Sequence, residues 1–171
     1  MSDARPAIVG VGNVLMGDDG VGPAAIDALR RRGMGDEADL FDAGLAFSEV
    51  LCELEPDRPV IVLDALRGPG PPGSIYRLTP ADLSGDGGSL ASAVSLHEVN
   101  VLPALRMEAL AGREFKDVTI LGVEPDRVEW AEGLSPPVAA AMDKLVQAVA
   151  RLLDERTAAP RTAEACGSNN A

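Results

Sequence analysis

Four side chains in this sequence are of types that hold cations or move protons, and each stands where a chain turns. They are Asp18 and Asp19 in Gly17-Asp18-Asp19-Gly20, Asp64 after the apolar run Val60–Leu63, and His97, the only histidine. Each has an ordinary explanation when taken alone. An acid near a helix N-terminus gains about 0.3–1 kcal/mol from the helix dipole. A carboxylate after a strand accepts backbone donors from the next turn, and a lone histidine is more often structural than a ligand. One acid suffices for capping, however, and two adjacent acids repel each other. Two carboxylates and an imidazole form an N/O donor set suited to a divalent transition metal. Without a metal, either carboxylate is a candidate general base.

Other chemistries fit poorly. The stretch Gly10-Val11-Gly12-Asn13-Val14-Leu15 has Leu15 where a dinucleotide fingerprint needs its third glycine, and no Walker A lysine follows. There is no G-x-S-x-G elbow and no H-E-x-x-H. A Ser-His-Asp triad would have to use His97, and no serine is marked for it. Cys166 lies near the C-terminal end, and Cys52 is expected to pack within an apolar helix. Glu53, Glu55 and Asp57 read as a solvated face, and Trp130, the only tryptophan, as a core residue. The 171 residues carry 15 Lys plus Arg against 27 Asp plus Glu, a formal charge of −12. That balance argues against binding to nucleic-acid phosphates or anionic membranes. No run approaches the roughly 18 apolar residues of a membrane span, and Met1–Pro6 lacks a signal-peptide core. Two unrelated cysteines suit a reducing compartment, so the cytoplasm is expected.

The elements that must position these residues can be read from hydrophobic patterning. Ala7–Val11, Asp39–Asp42, Pro59–Asp64 and Lys116–Val123 read as strands, and Ser74–Leu78 as an edge strand. Val21–Arg32, Phe47–Leu54, Glu98–Ala111 and Val138–Leu153 read as helices, with Pro103 kinking the third or marking its first turn. Asp82–Ser95, rich in Ser, Gly and Asp, reads as a mobile surface segment. Strands alternating with helices predict an α/β fold: three αβα layers around a mostly parallel, twisted sheet of about five strands. Right-handed crossovers put the first and third strands near each other, and ligands of such folds lie beyond the carboxyl ends of the strands. One domain is expected over 1–156, with a disordered tail over 157–171.

With these motifs in order, the sequence resembles the hydrogenase maturation proteases, which process [NiFe]-hydrogenase large subunits. The resemblance runs from about Ala7 to Leu153. It rests first on Gly10-Val11-Gly12-Asn13 through Gly17-Asp18-Asp19-Gly20-Val21-Gly22. Val62-Leu63-Asp64-Ala65 and Ser95-Leu96-His97-Glu98 add a second acidic motif and a histidine motif. Leu121-Gly122-Val123-Glu124-Pro125, then Trp130 and Gly133-Leu134-Ser135-Pro136, resemble the C-terminal signature. The resemblance implies that Asp19, Asp64 and His97 are both the metal-binding and the catalytic residues, with Asn13 and Asp18 orienting them. It implies an aspartyl-type endopeptidase that removes a short C-terminal peptide from the nickel-loaded precursor of a hydrogenase large subunit. The nickel is expected to arrive with the substrate, although another divalent transition metal could occupy the same site. Whether a metal or a carboxylate activates the water stays open.

Two competing readings share these residues. One is a checkpoint or chaperone that inspects the nickel state of the large subunit without cutting it. The other is a small-molecule hydrolase or phosphorylase on the same fold, for which Arg67 is the available cation.

Overall fold

The computed structural model describes residues 4–83, 94–95 and 101–158, with residues 94–95 described by their backbone alone. The strands are β1 (Ala7–Val11), β2 (Asp39–Gly44), β3 (Val60–Arg67), β4 (Ile75–Leu78), β5 (Val94–Ser95) and β6 (Val118–Val123). The helices are α1 (Val21–Arg31), α2 (Phe47–Glu53), α3 (Pro80–Leu83), α4 (Val101–Leu110) and α5 (Pro136–Ala158).

The sheet runs β2-β1-β3-β6-β4, and its first four members are mutually parallel. β4 is the edge strand that its sequence suggested, and it pairs antiparallel with β6. Every residue of β1 and β6 is buried, and all of β3 except Arg67. These strands are therefore covered on both faces, which is why they are largely apolar along their length.

Side chains alternate between the two faces. Ile8, Ile61, Leu63 and Ala65 pack against Ile26 and Leu29 of α1 and Leu145 and Val149 of α5. Val9, Val11, Val60, Val62 and Leu66 pack against Phe47 and Leu51 of α2 and Val101 and Leu102 of α4. The three-layer αβα prediction holds, and β1 pairs directly with β3: α1 carries the chain from β1 to β2 on one side, and α2 carries it from β2 back to β3 on the other.

Two boundaries differ from the reading of the sequence. Pro103 is the third described residue of α4. α5 continues five residues beyond Leu153, because Leu152 and Leu153 are still buried against the sheet and the helix carries on past them. β3 does not end near Asp64 but runs on to Arg67. Its parallel ladder with β6 continues through Asp64↔Gly122 and Ala65↔Val123. Leu66 and Arg67 then pair antiparallel with Ser95 and Val94 of β5. Of the predicted surface segment Asp82–Ser95, Asp82 and Leu83 close α3, and Val94 and Ser95 form β5. The rest of that segment lies outside the described residues.

Candidate active site

The site begins with the glycines that let α1 approach the sheet. A side chain at Gly22 would stand 2.2 Å from the Val11 carbonyl oxygen and 2.5 Å from that of Leu63. The first turn of α1 therefore rests on the carboxyl ends of both β1 and β3. Gly12 has φ 138°, and a Cβ there would fall 1.8 Å from the Asp19 carbonyl oxygen. Only glycine allows the chain leaving β1 to fold back so that Asp19 lies over the end of that strand.

Asp19 sits in a 3₁₀ turn, Gly17–Gly20, just before α1. It is buried, and its Oδ2 accepts the Asn13 backbone N–H at 2.9 Å. The Asn13 side chain instead accepts the Leu15 N–H at 3.0 Å, closing a local turn. Asn13 thus orients Asp19 through its backbone, and its amide shapes the loop.

Asp18 has a different task. Its carboxylate is fully buried and points away from α1, which has no side-chain cap. Oδ2 accepts the N–H groups of Asp126 and Arg127, both at 2.9 Å, and the Ser135 hydroxyl at 2.8 Å. Oδ1 accepts the Ser135 N–H at 2.6 Å. Burial alone would raise the Asp18 pKa, but these donors outweigh it and hold the carboxyl below its usual range. Asp18 therefore ties the turn bearing Asp19 to the loop over 126–135. Three backbone bonds reinforce the tie: Gly17 N–H to Ala131 O at 2.9 Å, Asp18 N–H to Arg127 O at 3.1 Å, and Ala131 N–H to Leu15 O at 3.1 Å.

Asp64 is also buried, but it is held by the sheet. Alternation along β3 puts it on the same face as Val62 and Leu66, the face covered by α2 and α4. The Gly17–Gly20 turn packs against β3. Asp19 thus lies beyond the carboxyl end of β1, and Asp64 lies on the neighbouring β3 one residue past the Gly10↔Leu63 pair, level with that end; both are buried. His97 lies outside the described residues. Among the described residues, no group of three His, Cys, Asp or Glu side chains is placed to hold a metal.

The same edge of the sheet contains a residue that sequence reasoning left without a role. Glu124, directly after β6, is buried. Its carboxylate accepts the Gly68 N–H and the Tyr76 hydroxyl, the latter at 2.9 Å, while the Tyr76 oxygen accepts the Gly70 N–H at 2.7 Å. Burial, with the Glu124 carboxylate beside it, pushes the Tyr76 phenol above its usual range. Glu124 locks the loop after β3 to the end of β6. The available signal was a charged residue directly after a largely apolar run.

Two other expectations are corrected. Trp130 is 78% exposed and not in the core, because the loop carrying it is fastened by Asp18 and by backbone bonds and not by side-chain packing. Cys52 is exposed on α2, where its Sγ donates to Glu108 Oε1 at 3.4 Å. The hydrogen bond to Glu108 pushes the Cys52 thiol up, which disfavours the nucleophilic thiolate. Glu53, Glu55 and Asp57 form the solvated face that was predicted, and Arg67 is exposed at the end of β3.

Comparison with known proteins agrees with this architecture. The family model for the HycI hydrogenase maturation protease matches residues 23–152. The Escherichia coli hydrogenase 2 maturation protease is 28% identical over 153 residues, covering 88% of this chain and 92% of the relative. The structure of the hydrogenase maturating endopeptidase HybD from E. coli superposes with a TM-score of 0.73 at 26% identity, over 90% of this chain and 94% of that one. A hydrogenase 2 maturation peptidase from a Thaumarchaeota archaeon gives a TM-score of 0.64 at 35% identity, over 88% and 98% of the two chains. The chain belongs to the hydrogenase maturation protease family, whose members are hydrolases acting on peptide bonds.

Proposed function

We propose that this protein removes a short C-terminal peptide from the nickel-loaded precursor of a [NiFe]-hydrogenase large subunit. The observation that carries the reading is the pair of buried carboxylates, Asp19 beyond the end of β1 and Asp64 on the adjacent parallel strand β3, in a maturation-protease fold. His97 completes the set in this reading. Ser95, two residues before it, pairs with Leu66, two residues after Asp64. Two carboxylates and one imidazole leave a divalent ion short of ligands. That suits an ion that arrives already bound by the substrate and is recognised through the open remainder of its shell. Asp19, Asp64 and His97 are then the residues that test whether the precursor is loaded.

The bond to be cut is a peptide bond. Water adds to its carbonyl carbon, a carboxylate of the site takes the water's proton, the C–N bond breaks and the leaving amine collects the proton. Two lone cysteines, without a disulfide framework, suit the cytoplasm as the compartment. No described helix is long and apolar enough to cross a membrane.

Incubation with the purified precursor, with and without nickel, read by intact mass, tests this. A single C-terminal loss that appears only in the nickel-loaded sample is expected. Loss in both samples would remove nickel recognition from the proposal. Loss in neither, with binding retained, would favour the non-cleaving checkpoint.

A further inference from the structure

Six large apolar side chains are strongly exposed among the described residues, and four of them lie beside the candidate site. They are Leu45 at 58%, Val14 at 55%, Leu15 at 46% and Trp130 at 78%. Their adjacency follows from the backbone. The Gly12 N–H donates to the Gly44 carbonyl at 2.9 Å, which sets Leu45 beside the Gly12–Asn13 turn. Val14 and Leu15 continue that turn, and a Cβ on Gly20 would meet the Val14 Cα at 2.9 Å. The Leu15 carbonyl accepts the Ala131 N–H, which brings Trp130 alongside. Asp19, held by the Asn13 N–H, adjoins the middle of this strip. None of the four side chains is needed for the core, so their exposure calls for a partner.

The border of the strip is acidic. Asp42 stands beside Leu45, and Asp126, Glu129 and Glu132 surround Trp130, with Arg127 as the cation in that loop; all five are exposed. Within a chain of formal charge −12, that border disfavours a second copy of the same chain and an anionic lipid surface alike. It favours a peptide that carries basic side chains next to apolar ones.

We infer that Leu45, Val14, Leu15 and Trp130 form the docking strip for the precursor segment flanking the cleaved bond, an extended stretch with large apolar side chains and adjacent Lys or Arg. This inference rests on the proposed function, because the strip gains its meaning from adjoining the site. Trp130 is the anchor: a large, amphipathic ring on a loop that is already fixed, so little ordering is required on binding.

The test is the double variant Leu15→Ser, Trp130→Ser, assayed against nickel-loaded precursor alongside the wild type. KM is expected to rise at least tenfold with kcat within twofold, and Trp130→Phe in the wild-type background is expected to keep KM within about threefold of the wild type. Unchanged melting of the double variant checks that the fold is intact. Raised salt is expected to raise the wild-type KM, and Glu129→Gln, Glu132→Gln to flatten that dependence. An unchanged KM in the double variant overturns the inference. So does a wild-type dimer that the double variant dissociates without loss of processing. If the wild type leaves the precursor uncut, the functional reading fails by itself, and the affinity of the precursor for the two proteins decides the strip. A tenfold weaker complex with the double variant supports it, and equal affinities overturn it.

Discussion

Asp18→Ala is the perturbation whose magnitude the structure defines best. The wild-type carboxylate satisfies three backbone N–H groups and one hydroxyl. Hydrogen bonds to a charged group contribute about 1.5–3 kcal/mol each. The Asp126 and Arg127 amides are partly buried and can turn to water, whereas both Ser135 donors are fully buried. Counting only the two at Ser135, Asp18→Ala should cost roughly 3–6 kcal/mol. That is a large fraction of the roughly 5–15 kcal/mol typical of a domain. Ser135→Ala removes only the hydroxyl bond and should cost about 1.5–3 kcal/mol.

Urea unfolding at neutral pH, followed by far-UV circular dichroism, measures both variants. The pH dependence supplies a second, independent check. The native-state pKa of Asp18 is lowered, so its contribution is complete above the unfolded carboxyl value of about 3.9. It is lost as pH falls through the lower folded value. The stability gap between wild type and Asp18→Asn should therefore be constant above about pH 5 and close below about pH 4. A cost under about 1 kcal/mol for Asp18→Ala, or a gap that widens on acidification, would refute the account of Asp18 as the tie between turn and loop.

The remaining predictions are briefer. Asp64→Asn, which keeps the shape of the side chain, should lower processing by at least about 100-fold, measured by intact mass, with the fold retained by circular dichroism. Gly12→Ala places a methyl on the Asp19 carbonyl at a φ that side chains resist, so it should cost more than about 3 kcal/mol, or prevent soluble expression, in a thermal-melt comparison. Tyr76→Phe removes the link between Gly70 and Glu124 and should lower the Tm by about 2–4 °C for a loss of about 1 kcal/mol, read by calorimetry. Cys52→Ser should leave processing unchanged, since the thiol lies on α2 and is held protonated by Glu108.

Ala7–Val11 is legible to the residue because a strand buried on both faces is apolar throughout. Asp64 reads as a stop in the sequence, whereas β3 runs on beyond it. A polar side chain on one face does not interrupt the backbone ladder, and pairing with Gly122 continues straight through it. The acidic pair stands out as unusual, but which acid faces the site depends on partners 108–117 residues away, beyond any local pattern. Trp130 misleads for a related reason: size and apolarity predict burial unless the backbone of the loop is anchored by other means.

The two carboxylates of the site belong to structures that open on different terms. Asp64 lies in a central strand with parallel neighbours on both sides, so its amide environment exchanges with solvent only when the sheet itself comes apart. Asp19 rides on a four-residue turn whose connection to the rest of the edge is chiefly the set of bonds gathered by Asp18. Amide hydrogen exchange should therefore divide the site in two, with protection at Gly122 tracking global unfolding and protection at Asp126, Arg127 and Ser135 lost in a smaller, earlier opening. One half opens only with the whole sheet, while the other is held in the folded state by the bonds that Asp18 gathers. The grip of Asp18 sets how often that second half lets go.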